Sequence, residues 1–169
     1  MESRGPEGVL VTGVFGSGKS SVAVEIGYLL EQRNELYALL DLDYFGWVGD
    51  HATGRATMLR NLAVVMPQYR SLGVTCYVLA YFVPDRDTLD AIRTALGVPL
   101  RVVRLSASLP DIERRLAADV TSGRRDDLRD AAESLATSEG VDVEDLVIET
   151  DRSVQVIAGE IMAWLGWPR

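Results

Sequence analysis

The sequence predicts an α/β fold, a parallel β-sheet covered on both faces by helices, and three observations carry that prediction. Short apolar runs alternate with helical segments along the chain. The runs are near-continuous rather than polar at every second residue, as strands buried on both faces require. The first run stops at a glycine-rich loop, Gly13-Val14-Phe15-Gly16-Ser17-Gly18-Lys19-Ser20, that opens directly into a helix.

The elements follow in order. Residues 9–12 are apolar and partly β-branched and form the first strand; residues 20–32 carry apolar side chains at helical spacing. A second strand is expected at 36–40, a helix at 57–72, and a third strand within the apolar run 74–83. Residues 87–96 read as a helix and 100–105 as the fourth strand. Pro110 and nearby acidic residues open a helix over 109–120. A charged helix is expected over 124–138 after the Thr121-Ser122-Gly123 break, then a fifth strand at 146–149 and a closing helix at 153–165. In such a sheet ligands belong at the carboxyl ends of the strands. Here those ends are the glycine loop, residues 41–45, residues 81–85, and the loops after the last two strands.

Length and composition narrow the partners. A chain of 169 residues, 47% hydrophobic, suits one domain with one sizeable core. Its net charge of −8 repels nucleic-acid backbones, so long DNA or RNA is not an expected partner. The N-terminal residues lack a signal-peptide pattern and no apolar stretch is long enough to span a bilayer. A cytoplasmic protein without a membrane segment is therefore expected. The lone Cys76, inside the third apolar run, reads as a buried strand residue, and Trp164, Trp167 and Pro168 read as packing. The oligomeric state is open, a homodimer included.

The loop carries the chemistry. Its backbone must wrap around a phosphate with N–H groups turned inward, which side chains at Gly13, Gly16 and Gly18 would obstruct. Lys19 brings a point charge to the β and γ phosphates, and Ser20 brings a hydroxyl to Mg²⁺ while opening a helix whose positive end faces the anion. Phe15, Ser17 and Ser21 complete the expected nucleotide contacts, with ATP and Mg²⁺ as the ligands. The third strand has no Asp or Glu, so a carboxylate must come from elsewhere. Asp41 and Asp43 follow the second strand, where residues two apart point to the same side. One would hold a Mg²⁺ water and the other would accept the proton of an attacking hydroxyl. Asp43 is the expected base and Asp41 the expected metal-shell residue, with the reverse assignment open; helix capping is the alternative for each alone.

The loop followed by Asp41-Leu42-Asp43 resembles the small P-loop kinases, the group of adenylylsulfate, shikimate, gluconate and chloramphenicol kinases, over nearly the whole chain. The resemblance implies a three-layer sandwich with a five-stranded parallel sheet in order 2-3-1-4-5, a helical lid over about 114–138, and ATP-dependent phosphorylation of a small-molecule hydroxyl. It also implies that Arg115 closes over the phosphates, and that 147–153, with Arg152, lies beside the adenine. Ala118-Asp119 stands where relatives place a second arginine, so either Arg124 or Arg125 compensates or the lid is altered. Asp-Leu-Asp-Tyr-Phe replaces the Asp-Gly-Asp-Asn stretch typical of adenylylsulfate kinases, so that substrate is not singled out. Tyr44 and Phe45 are expected at the acceptor, with Arg60 as a further contact and His51 on the surface. An antibiotic or nucleoside acceptor, and a nucleotide-binding regulatory module without transfer, remain as alternatives.

Overall fold

The computed structural model describes residues 5–49, 51–117, 129–133, 135 and 143–168, with side chains not described at 51 and 52. The elements are β1 (Glu7–Thr12), α1 (Lys19–Glu31), β2 (Tyr37–Asp41), α2 (Leu42–Phe45), α3 (His51–Ser71), β3 (Cys76–Ala80), α4 (Arg86–Leu96), β4 (Leu100–Ser106), α5 (Leu109–Ala117), β5 (Leu146–Glu149) and α6 (Val154–Leu165). The five strands form one parallel sheet in the order β2-β3-β1-β4-β5, as expected.

Strand alternation divides the core in two. Val9 and Val11 of β1, Val78 of β3 and Val103 of β4 face α1 and α6, where Ile26, Leu30, Ile157 and Ile161 cover them. Leu10, Tyr77, Leu79 and Val102 face the other way, against Met58, Leu62 and Met66 of α3 and Leu89 and Ile92 of α4. Both faces of the central strands are therefore buried, which is why their sequences are apolar without interruption. Complete burial of one such aliphatic side chain contributes about 1.5–3 kcal/mol. A smaller cluster, Val14, Ala107, Ile112, Leu116 and Ala131, seats α5 beside the glycine loop.

The helix caps explain several boundaries. Asp85 and Ser153 accept the third backbone N–H of α4 and α6, and Gly97 and Gly166 end those helices in the left-handed conformation. Cys76 is buried in β3, and Trp167 is buried with its Nε1 donating to Glu7 Oε1 at 2.8 Å, so both do the packing expected of them. Among the described residues no helix is long and apolar enough to cross a membrane.

Two expectations need correction. Helix α3 begins at His51, six positions before the expected 57, because its first turns face the rim of a pocket and carry no apolar stripe for periodicity to detect. The expected strand at 36–40 ends one residue later, and a short helix follows it at once. Of the expected lid, 118–128, 134 and 136–138 lie outside the described residues, Arg124 and Arg125 with them; residues 129–133 are helical.

Candidate active site

The site forms at the carboxyl ends of β1, β2 and β3. The loop between β1 and α1 takes conformations open chiefly to glycine: φ is +146° at Gly13, +78° at Gly16 and +99° at Gly18. A Cβ on Gly13 would lie 2.7 Å from both the Leu105 carbonyl and Ser17 Oγ, and one on Gly16 would lie 2.9 Å from Ile112 Cγ2. The loop is thus pressed against β4 on one side and α5 on the other. Gly13→Ala is expected to cost about 1–3 kcal/mol from backbone strain alone, more with the clash, and urea unfolding measures it.

Inside this loop Lys19 is buried, and its Nζ donates to the Val14 carbonyl at 3.3 Å and lies 5.8 Å from the Phe15 ring centre. Burial lowers the ammonium pKa, while Asp43 and then Asp41 partly offset that effect. A buried cation beside two carboxylates, within a collar of glycine peptides, has the donor chemistry of an anion site. Ser17 Oγ is buried and makes no hydrogen bond among the described residues. Ser20 and Ser21 stand exposed on the first turn of α1.

Asp41 and Asp43 do not share a strand face. Asp41 is the last residue of β2 and the N-cap of α2, accepting the Asp43 N–H at 3.2 Å, whereas Asp43 lies in the first turn of that helix. The period-two argument therefore fails at Leu42, and the capping alternative for Asp41 is realised. The second Asp41 oxygen, Oδ2, accepts the Ser20 hydroxyl at 2.7 Å, which joins α1 to the end of β2. These two hard oxygen groups, adjacent and open to solvent, suit Mg²⁺.

Asp43 instead borders a pocket of about 310 Å³, with Trp47, Arg55, Met58 and Tyr81 around it. Loss of hydration raises the Asp43 pKa above its ordinary 3.8, Lys19 opposes this, and Asp41 adds to it. Burial and then Asp43 raise the Tyr81 pKa, which keeps the phenol protonated as a hydrogen-bond donor. A proton bound more tightly in the folded chain makes Asp43 a cost to stability as pH rises above 3.8 through the raised value. If Asp43 accepts a proton during turnover, activity falls as pH drops through that same raised value. The acid limb of a kcat/KM–pH profile, which reports the free enzyme, is therefore expected above the ordinary aspartate range, and is expected to disappear in Asp43→Asn.

The remaining expected contacts are distributed unevenly. Tyr44 is 68% exposed and stacks on Trp47, itself 76% exposed, with ring centres 5.6 Å apart and an interplanar angle of 19°. Phe45 packs against the α3 core, and its carbonyl accepts Asn61 Nδ2 at 2.8 Å. Arg60 is exposed on α3 and does not border the pocket, whereas Arg55 does, with its Nη1 donating to Thr88 Oγ1 at 3.2 Å. Arg55 was not anticipated. Its signal was available: it is the one Lys or Arg between Asp43 and Met58. Arg152 bonds Asp151 and Glu160 on the surface, at 3.3 and 2.6 Å.

Arg115 reaches the glycine loop from outside. Its Nη1 donates to the Gly16 and Ser17 carbonyls at 3.3 and 2.9 Å, and its Nη2 to the Thr150 carbonyl at 2.8 Å. Thr150 lies beyond β5, and its N–H returns to the Ser106 carbonyl of β4 at 2.9 Å. The loop is thereby tied to the far half of the sheet.

Solved structures share this architecture from end to end. A sugar kinase from Janibacter sp. HTCC2649 aligns over 95% of each chain with a TM-score of 0.70 and 22% identity. The APS kinase of Mycobacterium tuberculosis, solved with AMPPNP and APS, aligns over 96% of this chain and 98% of its own, with a TM-score of 0.60 and 24% identity. The chain has the fold of the small P-loop kinases. The tunicamycin resistance protein of Deinococcus radiodurans shares that fold, with a TM-score of 0.62 and 20% identity over 98% of both chains. Neither a protein-family model nor a curated protein sequence matches the chain.

Proposed function

We propose that this protein is a cytoplasmic ATP-dependent kinase that transfers the γ-phosphoryl group to a hydroxyl of a small molecule. The observation that carries the reading is the position of Asp43, which borders an open pocket on one side and stands near the buried ammonium of Lys19 on the other. A hydroxyl bound in the pocket loses its proton to the Asp43 carboxylate as its oxygen bonds to the γ phosphorus. The bond from that phosphorus to the β–γ bridging oxygen breaks, and ADP leaves. Gly13, Phe15, Gly16, Ser17, Gly18, Lys19 and Ser21 form the nucleotide cradle. Mg²⁺ held by Ser20 and Asp41 would neutralise phosphate charge. Asp43, rather than Asp41, takes the base role because both Asp41 oxygens already accept hydrogen bonds.

The kinase fold of the sugar and APS kinases supports the transfer reading, although fold alone names no acceptor. The exposed Tyr44–Trp47 stack at the pocket edge favours, as a second reading, a planar acceptor such as an antibiotic or nucleoside. Thermal-shift screening of hydroxyl compounds in the presence of Mg·AMPPNP separates these classes, since a bound acceptor raises the melting temperature by mass action. Sugars and polyols that stabilise the protein favour the first class, and ring-bearing antibiotics or nucleosides the second. No stabilisation by any member of a broad panel favours a regulatory nucleotide-binding module.

A further inference from the structure

We propose that Arg115 is a positioning residue: its guanidinium presets the peptide planes of the phosphate loop for an anion, and does not itself touch the transferring phosphoryl group. This rests on the nucleotide-binding reading above. Three charge-assisted bonds hold the guanidinium on backbone carbonyls, at 3.3, 2.9 and 2.8 Å. Nη1 carries two hydrogens, and the Gly16 and Ser17 carbonyls take both. To reach a γ-phosphoryl group the side chain would have to give these bonds up.

The bonds also have a direct geometric consequence. No peptide among the described residues is cis, so each carbonyl points opposite to the N–H of its own peptide plane. Anchoring the Ser17 carbonyl on Arg115 turns the Gly18 N–H to the side of the loop away from the guanidinium. Anchoring the Gly16 carbonyl does the same for the Ser17 N–H, which donates to the Val14 carbonyl at 3.1 Å and tightens the loop. Glycine peptides left unanchored sample many orientations, and an incoming phosphate would have to order them. The bond to Thr150 supplies a fixed reference, because Thr150 is itself held by β4. Arg115 is the one side chain that joins the loop, α5 and the end of β5 among the described hydrogen bonds.

Calorimetric titration of wild type, Arg115→Lys and Arg115→Gln with Mg·pyrophosphate and with Mg·ADP tests this, with melting temperature and the ligand-free Gly18 amide NMR signal read alongside. Arg115→Lys keeps the charge and loses the fork. The expected result is a loss of roughly tenfold in affinity for both ligands together, as when preorganisation is removed, with the ligand-free Gly18 signal shifted or split in the variant. Unchanged pyrophosphate affinity overturns the proposal, including when ADP alone weakens through a lost base contact. An unchanged ligand-free Gly18 signal also overturns it, since a direct phosphate contact would leave the empty loop as it was. If the Lys variant does not fold, the Gln variant, which keeps an NH2 donor, decides by the same readings. Wild-type protein that binds neither ligand refutes the nucleotide-binding reading first, and is told apart from failure of the Arg115 inference alone.

Discussion

Lys19→Met is expected to abolish nucleotide binding while leaving the fold at least as stable as before. The ammonium is buried in the glycine collar, where it donates to the Val14 carbonyl at 3.3 Å. Burial disfavours its charge, and the nearby carboxylates only partly compensate. A methionine of similar length removes the desolvated charge and fills the space, a change that is neutral or favourable for folding when the charge is poorly paired. Binding behaves oppositely. Two charge-assisted bonds to phosphate oxygens are together worth about 3–6 kcal/mol, or about 10²- to 10⁴-fold in affinity. Calorimetry with Mg·AMPPNP and urea unfolding of the same preparation read the two effects separately. Retained affinity in a folded Lys19→Met protein would remove the loop as the nucleotide site.

Asp43→Asn is expected to divide the properties along a different line, with ATP binding kept and transfer lost. Asn matches Asp in shape and cannot accept the acceptor's proton, so kcat should fall by about 10²- to 10⁴-fold, the usual contribution of a positioned general base. The same substitution removes a carboxylate whose pKa is raised chiefly by lost hydration, so stability at neutral pH should rise. Higher stability with lower activity is the pattern of a residue held in place for function at some cost to folding. Asp41→Asn should differ: it loosens the Ser20 hydroxyl and the α2 cap, and its effect on activity should shrink at high Mg²⁺. If Asp41→Asn removed the acid limb of the pH profile and Asp43→Asn did not, the two roles would be exchanged.

The sheet was legible in the sequence because its signals are local. Five apolar runs mark five strands, and burial on both faces leaves them unbroken, as in Val9-Leu10-Val11. The glycine loop was legible for a related reason, since each glycine sits where φ is positive or the backbone passes close to another element. Asp41 and Asp43 were found as a pair but placed on the wrong geometry: strand periodicity cannot register that a four-residue helix begins at Leu42. Arg55 and Tyr81 meet Asp43 only because α3 and the end of β3 converge there, and that convergence is tertiary. The three carbonyl contacts of Arg115 leave no trace in sequence, because a backbone acceptor has no residue type.

Transfer of the γ-phosphoryl group to a hydroxyl, with Asp43 as base, joins the acceptor pocket to the phosphate loop. Phosphorus-31 NMR of wild type and Asp43→Asn, incubated with Mg·ATP and an acceptor that stabilises the AMPPNP complex, tests it most directly. The expected result is a phosphomonoester signal that grows in step with ADP in wild type and is nearly absent in the variant. ADP appearing with free phosphate alone, or the ester forming at the same rate in both proteins, would contradict it.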